Sequence, residues 1–194
     1  MLIYLSLTIY RGMILKMSKK NIYLVFSNTG TVLSKCINYY TKDKYVHVSL
    51  SFDNTFEKMY SFGRIFPSNP FIGGLVEENL RDGVYKKFQN SQCIIYKIEV
   101  SNKQYFSLRN ELGLFLQDQN KYRYSLLGLI GVVINKPIKR NNRYFCSEFV
   151  SHLLIKSEIY DSDKLPSLIK PSDLLSISDK EFVYEGLTYN YRTI

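Results

Sequence analysis

The sequence predicts an α+β fold in which helices are grouped against an antiparallel sheet. Three observations predict it: short apolar strands divided by turn signals through the first hundred residues, helical segments after them, and a last strand beyond a pair of prolines. The 194 residues, 45% hydrophobic and 22% charged, suffice for one domain and are too apolar for a disordered chain.

The elements follow in order. Asn21 to Phe26 reads as a short apolar strand, and Ser27, Asn28, Thr29 and Gly30 supply the turn and cap for a helix beginning at Thr31. In that helix Val32, Leu33, Cys36, Ile37 and Tyr40 recur at helical spacing, which assigns Cys36 to a core face. Tyr45 to Phe52 alternates, with Val46, Val48, Leu50 and Phe52 on an apolar face and Tyr45, His47, Ser49 and Ser51 on a polar one. Asp53, Asn54 and Thr55 turn the chain into a second strand over Lys58 to Phe62, closed by Gly63. Pro67 to Gly74, rich in Pro, Asn and Gly, is expected to be a loop at the rim of a cleft, and Gln92 to Val100 a further strand.

Asn102 to Gln117 carries Tyr105, Leu108, Leu112, Phe115 and Leu116 at helical intervals and makes an amphipathic helix capped by Ser101 or Asn102. Leu126 to Ile134 is an apolar run too short to cross a bilayer, so a buried helix is expected there. After the basic loop Lys136 to Arg143, Cys146 heads a helix whose apolar stripe is Phe149, Val150, Leu153 and Leu154. Pro166 and Pro171 break the chain before the final strand near Phe182 to Tyr189.

Charge and composition narrow the function. A formal charge of +9 and a pI near 9.3 favour anionic partners, but the lysines are scattered and read as a solvated surface, so no specific nucleic acid is expected. Cys36, Cys93 and Cys146 are an odd count without a CxxC spacing, which predicts free thiols. His47 and His152 are the only histidines, too few for a metal centre, and no cofactor is expected. Residues 1–16 are apolar at first but lack a basic start and a small-residue cleavage site. They read as a non-native or mis-called upstream extension to a domain over 17–194, with a short surface strand or a membrane anchor as the alternatives, and the cytoplasm is favoured over export.

Two residues stand out as chemistry. A thiol attacks as its thiolate, and a helix N-terminus with a neighbouring imidazole supplies the charge and the base that this requires. Cys146 lies where Asn141, Asn142 and Arg143 give way to a helical stripe, so unpaired backbone N–H groups there are available to an oxyanion. Read alone, Cys146 fits core packing equally well. His47, on the polar side of a strand with an oily opposite side, shifts the balance, and Ser49 leaves room for a helix to approach that side. His152 falls six residues past Cys146, about 240° around a helix, and points away from the thiol.

The segments Tyr45-Val46-His47-Val48-Ser49-Leu50 and Tyr144-Phe145-Cys146-Ser147-Glu148-Phe149-Val150 resemble the His and Cys motifs of permuted NlpC-like cysteine hydrolases, the YiiX/YebB-like group. The resemblance extends to Tyr60-Ser61-Phe62-Gly63-Arg64, a Tyr-x-Tyr at Tyr122 and Tyr124, and Lys170-Pro171-Ser172-Asp173-Leu174. It implies a circularly permuted papain-like fold, with His47 preceding Cys146 in the chain, and amidase or peptidase activity on peptides, cell-wall peptides included. It implies an oxyanion role for Tyr122 or Tyr124, and a third residue orienting the imidazole. At that third position the chain departs from the pattern: Ser61 falls nearest, so either a dyad suffices or Glu57, Glu77 or Glu78 substitutes. Lecithin:retinol acyltransferase-type chemistry on lipid acyl groups is the related alternative. A basic non-catalytic protein stacking its tyrosines on nucleic acid is the alternative of another class. A monomer without a membrane span is expected.

Overall fold

In a computed structural model, residues 19–66, 69–138 and 140–193 are described. The extension over 1–16, and the side chains on which the core assignment of Cys36 rests, lie outside the described residues.

One antiparallel sheet of six strands organises the chain. In sequence order the strands are β1 (Lys19–Asn28), β2 (His47–Ser51), β3 (Met59–Phe66), β4 (Asn69–Glu78), β5 (Gln92–Ser101) and, at the far end of the chain, β8 (Lys180–Leu187). Across the sheet they run β4-β3-β2-β1-β5-β8. Its centre is the nearly unbroken apolar run of β1, paired along its whole length with β5, as expected of a strand covered on both sides. Alternation then sorts the side chains. Leu24, Phe26, Val48, Leu50, Phe62 and Ile94 face one core, and Tyr23, Val25, Met59, Cys93 and Ile95 face the other.

The first core is roofed by two helices, α3 (Asn102–Gln117) and α5 (Cys146–Lys156). Helix α3 starts where Ser101 and Gln104 exchange side-chain and backbone bonds in a capping box, which selects Ser101 over Asn102 as the cap. The second core is closed by Phe56, Leu80, Tyr191 and Tyr85, the last from the short helix α2 (Gly83–Lys87). Helix α1 (Val32–Thr41) leaves β1 through the Thr31 cap, whose hydroxyl accepts from the Ser34 N–H. The remaining elements are β6 (Arg123–Tyr124), α4 (Leu126–Val133), β7 (Arg143–Tyr144) and α6 (Pro171–Leu174), with β6 and β7 forming a small parallel pair. No helix among the described residues is long and apolar enough to cross a membrane.

Three expectations about the fold need correction. Strand β3 runs on through Gly63 to Phe66 instead of closing at Gly63. The stretch read as a rim loop over Pro67 to Gly74 belongs, from Asn69 onward, to strand β4. Its glycines mark close approach: a Cβ on Gly73 would stand 2.6 Å from the Gly63 carbonyl oxygen and 2.8 Å from Cβ of Tyr124. Helix α4, expected to be buried, is a surface helix, since Leu127, Ile130 and the following Ile134 are about half exposed. Its buried residues include the small Gly128 and Gly131, with Val132. The glycines let the helix lie close to the body, with Leu129 and Val132 facing inward and Leu127, Ile130 and Ile134 turned outward.

Candidate active site

His47 is the first residue of β2 and Cys146 the first of α5, so they meet at one end of the sheet although nearly a hundred residues separate them. The Cys146 sulfur lies 3.9 Å from the carbonyl oxygen of Val46. The helix is entered through Phe145 in an extended conformation without a side-chain cap, which leaves the first-turn N–H groups to a ligand. Cys146 itself is buried under the first core. The expectation that α5 would approach the Ser49 side fails, because it packs on the Val48 and Leu50 side.

The polar side of β2 is instead occupied by a carboxylate. Ser51 pairs with Met59, which pairs with Glu78 on β4, and a Cβ on Gly63 would stand 3.6 Å from Cε1 of His47 and 3.3 Å from Oε1 of Glu78. His47 Nε2 stands 3.1 and 3.2 Å from the two oxygens of Glu78, and the Ser49 hydroxyl donates to Glu78 Oε2. The side chains of His47 and Glu78 are only 20% and 12% exposed, so the pair is screened little by solvent. Burial works against the His47 cation, but the charge of Glu78, then that of Cys146 and hydrogen bonds to both, outweigh it and raise its pKa to about 10. For Glu78 burial opposes the charge, while the His47 cation and bonds from His47 and Ser49 hold its carboxyl below the ordinary range. With Nε2 committed to Glu78, Nδ1 is the ring nitrogen left for the thiol.

Of the three carboxylates open at the third position, Glu78 is the one brought to the imidazole. Glu77, one residue earlier, points to the opposite side and pairs with Lys58 at 3.6 Å, and Glu57 is exposed. Ser61, nearest that position by sequence, is buried beside Glu78, close enough to favour its charge but short of hydrogen-bond geometry. The two tyrosines also part company. Tyr124 lines the cleft with His47, Glu78, Gly63 and Arg64, and burial, then the Cys146 charge, push its pKa up, so its hydroxyl stays a donor at neutral pH. Tyr122 turns instead into an aromatic cluster with Phe62, Phe115 and Tyr144. His152 stands against Phe115 and Tyr144, in line with its helical angle. Cys93 lies in the second core, where burial pushes its thiol up to about 12.

Three participants escaped the sequence reading. Arg64 lines the cleft with its guanidinium above the Phe88 ring, and burial lowers its pKa. Tyr85 and Ser27 share a hydrogen bond of 2.9 Å behind Glu78. Arg64 sits inside the segment that carries the family resemblance, a signal that was present; Ser27 is placed by sheet register and Tyr85 by the packing of helix α2 against the sheet. Among the described residues no group of three or more His, Cys, Asp or Glu side chains assembles a metal-binding set. In comparisons with known proteins, no family model matches the chain and no curated protein matches it significantly.

Proposed function

We propose that the chain is a cysteine hydrolase of the permuted NlpC-like, papain-fold class, cleaving amide or related acyl bonds through a thioester on Cys146. The observation that carries this reading is the order carboxylate, imidazole, thiol: Glu78 on Nε2 of His47 and Cys146 beside the same ring, at an uncapped helix start. The six-stranded antiparallel sheet with the cysteine helix packed across it is compatible with that fold.

Chemistry follows from the geometry. The Cys146 thiolate forms a C–S bond with the carbonyl carbon, and the π electrons move to oxygen. The first-turn N–H groups of α5 and the Tyr124 hydroxyl receive the oxyanion. As the carbonyl reforms, the C–N bond breaks and the His47 imidazolium gives its proton to the leaving nitrogen. Water, deprotonated by the now neutral His47, adds to the thioester and releases the acid and the thiolate. Glu78 keeps Nε2–H fixed and stabilises the imidazolium at each return to it.

A second reading, transfer or hydrolysis of a lipid acyl group, shares the nucleophile and is favoured by one feature: the cleft on the far side of Cys146 is lined by Val46, Leu129, Val132 and Phe145. Peptide amides, cell-wall peptide fragments and phospholipids should therefore be offered in parallel, with acid quenching and mass analysis of the intact chain. An acyl adduct confined to Cys146, absent from Cys146→Ala, is the expected result. Turnover surviving in Cys146→Ala would end the proposal.

A further inference from the structure

Helix α4 carries large apolar side chains on its outer side as well as its inner one. An ordinary surface helix turns its large apolar side chains inward. Here Leu127, Ile130 and Ile134, spaced as one stripe, are 46%, 51% and 53% exposed. The inward side combines Leu129 and Val132 with two glycines, and a Cβ on Gly128 would stand 2.9 Å from the Phe145 ring. Leu165, at the head of the 3-10 turn Pro166–Leu168 that adjoins α4, adds another exposed aliphatic side chain. Such an aliphatic ridge, facing water without a charge along α4 itself, marks a binding surface.

The flanks of the helix say what binds there. Between Asp118 and Glu148 the sequence contains Lys121, Arg123, Lys136, Lys139, Arg140 and Arg143 and no carboxylate. Lys121, Arg123, Lys136 and Arg140 are exposed. Exposed aliphatic side chains on a helix flanked in the chain by cations suit a partner that is anionic at its surface and hydrocarbon just beneath, as an acidic bilayer is. A second copy of the chain would bring the same cations, and nucleic acid offers no hydrocarbon to the ridge.

We propose that α4 and its cationic flanks form a docking surface for an anionic lipid bilayer, with Leu127, Ile130 and Ile134 entering the headgroup layer. Leu129 and Val132 of the same helix line the apolar cleft at Cys146, so docking would bring that cleft beside the lipid. The docking itself does not depend on the proposed hydrolase chemistry.

The test uses full-length Cys146→Ala protein, which cannot turn over through the thiol, floated with phosphatidylcholine vesicles with and without phosphatidylserine. Binding is expected only to the anionic vesicles and should weaken as salt is raised. The pair Lys136→Glu and Arg140→Glu should lower affinity by at least about 25-fold, from roughly fivefold per surface cation lost. Leu127→Ser, Ile130→Ser and Ile134→Ser together should lower it at least about tenfold, since each removes buried aliphatic area. Because those positions are exposed, circular dichroism and melting should stay unchanged. Absence of anionic-vesicle binding, binding indifferent to both variants, or a dimer dissociated by the serine variant would each overturn the proposal.

Discussion

Replacing Glu78 with Gln keeps a hydrogen-bonding side chain against His47 and removes only its charge, which isolates the term that holds the imidazole protonated. In the folded protein the His47 pKa rises from its ordinary 6.5 to about 10, which corresponds to on the order of 5 kcal/mol in favour of the cation, shared between Glu78 and Cys146 and net of burial. An opposite charge at this distance shifts a pKa by about 1–3. Glu78→Gln should accordingly bring the His47 midpoint down to between about 7 and 9, and adding Cys146→Ser should lower it further. Imidazole 15N NMR titration reads this directly. His47 and His152 are the only histidines, and His152 serves as an internal reference away from the site. The same pair sets a stability profile. The raised His47 pKa contributes stability that is complete below about pH 6.5 and lost as pH rises toward 10, and the lowered Glu78 pKa contributes stability present above about 4.5 and lost on acidification. A plateau between those limits should flatten in Glu78→Gln. A wild-type His47 titrating near 6.5, or a midpoint that Glu78→Gln leaves in place, would refute the reasoning.

Further outcomes follow from the same geometry. Tyr124→Phe should slow turnover by about 10²–10³-fold with folding intact, whereas Tyr122→Phe should leave the rate nearly unchanged; steady-state kinetics on both decides between them. Gly73→Ala should cost roughly 1–3 kcal/mol in denaturant unfolding and impair turnover, because the added methyl meets the Gly63 carbonyl and Tyr124. Iodoacetamide near neutral pH should modify Cys146 and spare Cys93 in peptide mass maps, since burial keeps the Cys93 thiol protonated.

The sequence was most legible where pattern and neighbourhood agree. The alternation around His47, the capped helix from Asn102 and the break before Cys146 each rest on a local period that the fold keeps. Strand β4 was hidden because Pro70, Gly73 and Gly74 are turn residues by local chemistry, while the demand that Gly73 meets, room for Tyr124 and the Gly63 carbonyl, comes from the neighbouring strand and from a residue about fifty positions on. Losing that strand also lost the distinction between Glu77 and Glu78. In a strand, adjacent residues face opposite sides, so once β4 is drawn one carboxylate goes to Lys58 and the other to His47. Helix α4 misled for another reason, since periodicity measures how apolar a face is and not whether the protein's own body covers it.

The order of elements along the chain has a kinetic consequence. His47, Ser49, Ser61, Glu78 and Tyr85 all lie in the first half of the sequence, within β2, β3, β4 and α2, whereas Cys146 arrives at the head of α5. At roughly 5–20 residues per second of synthesis, about 5–20 seconds pass between the emergence of residue 47 and that of residue 146. Before that interval ends, both members of the His47–Glu78 pair have been synthesised and Cys146 has not. Cys146 reaches His47 only when α5 docks across strands synthesised before it. On the proposed reading, the site is thus completed by a late packing step, and a chain that stalls or is truncated before this helix lacks the thiol of the site.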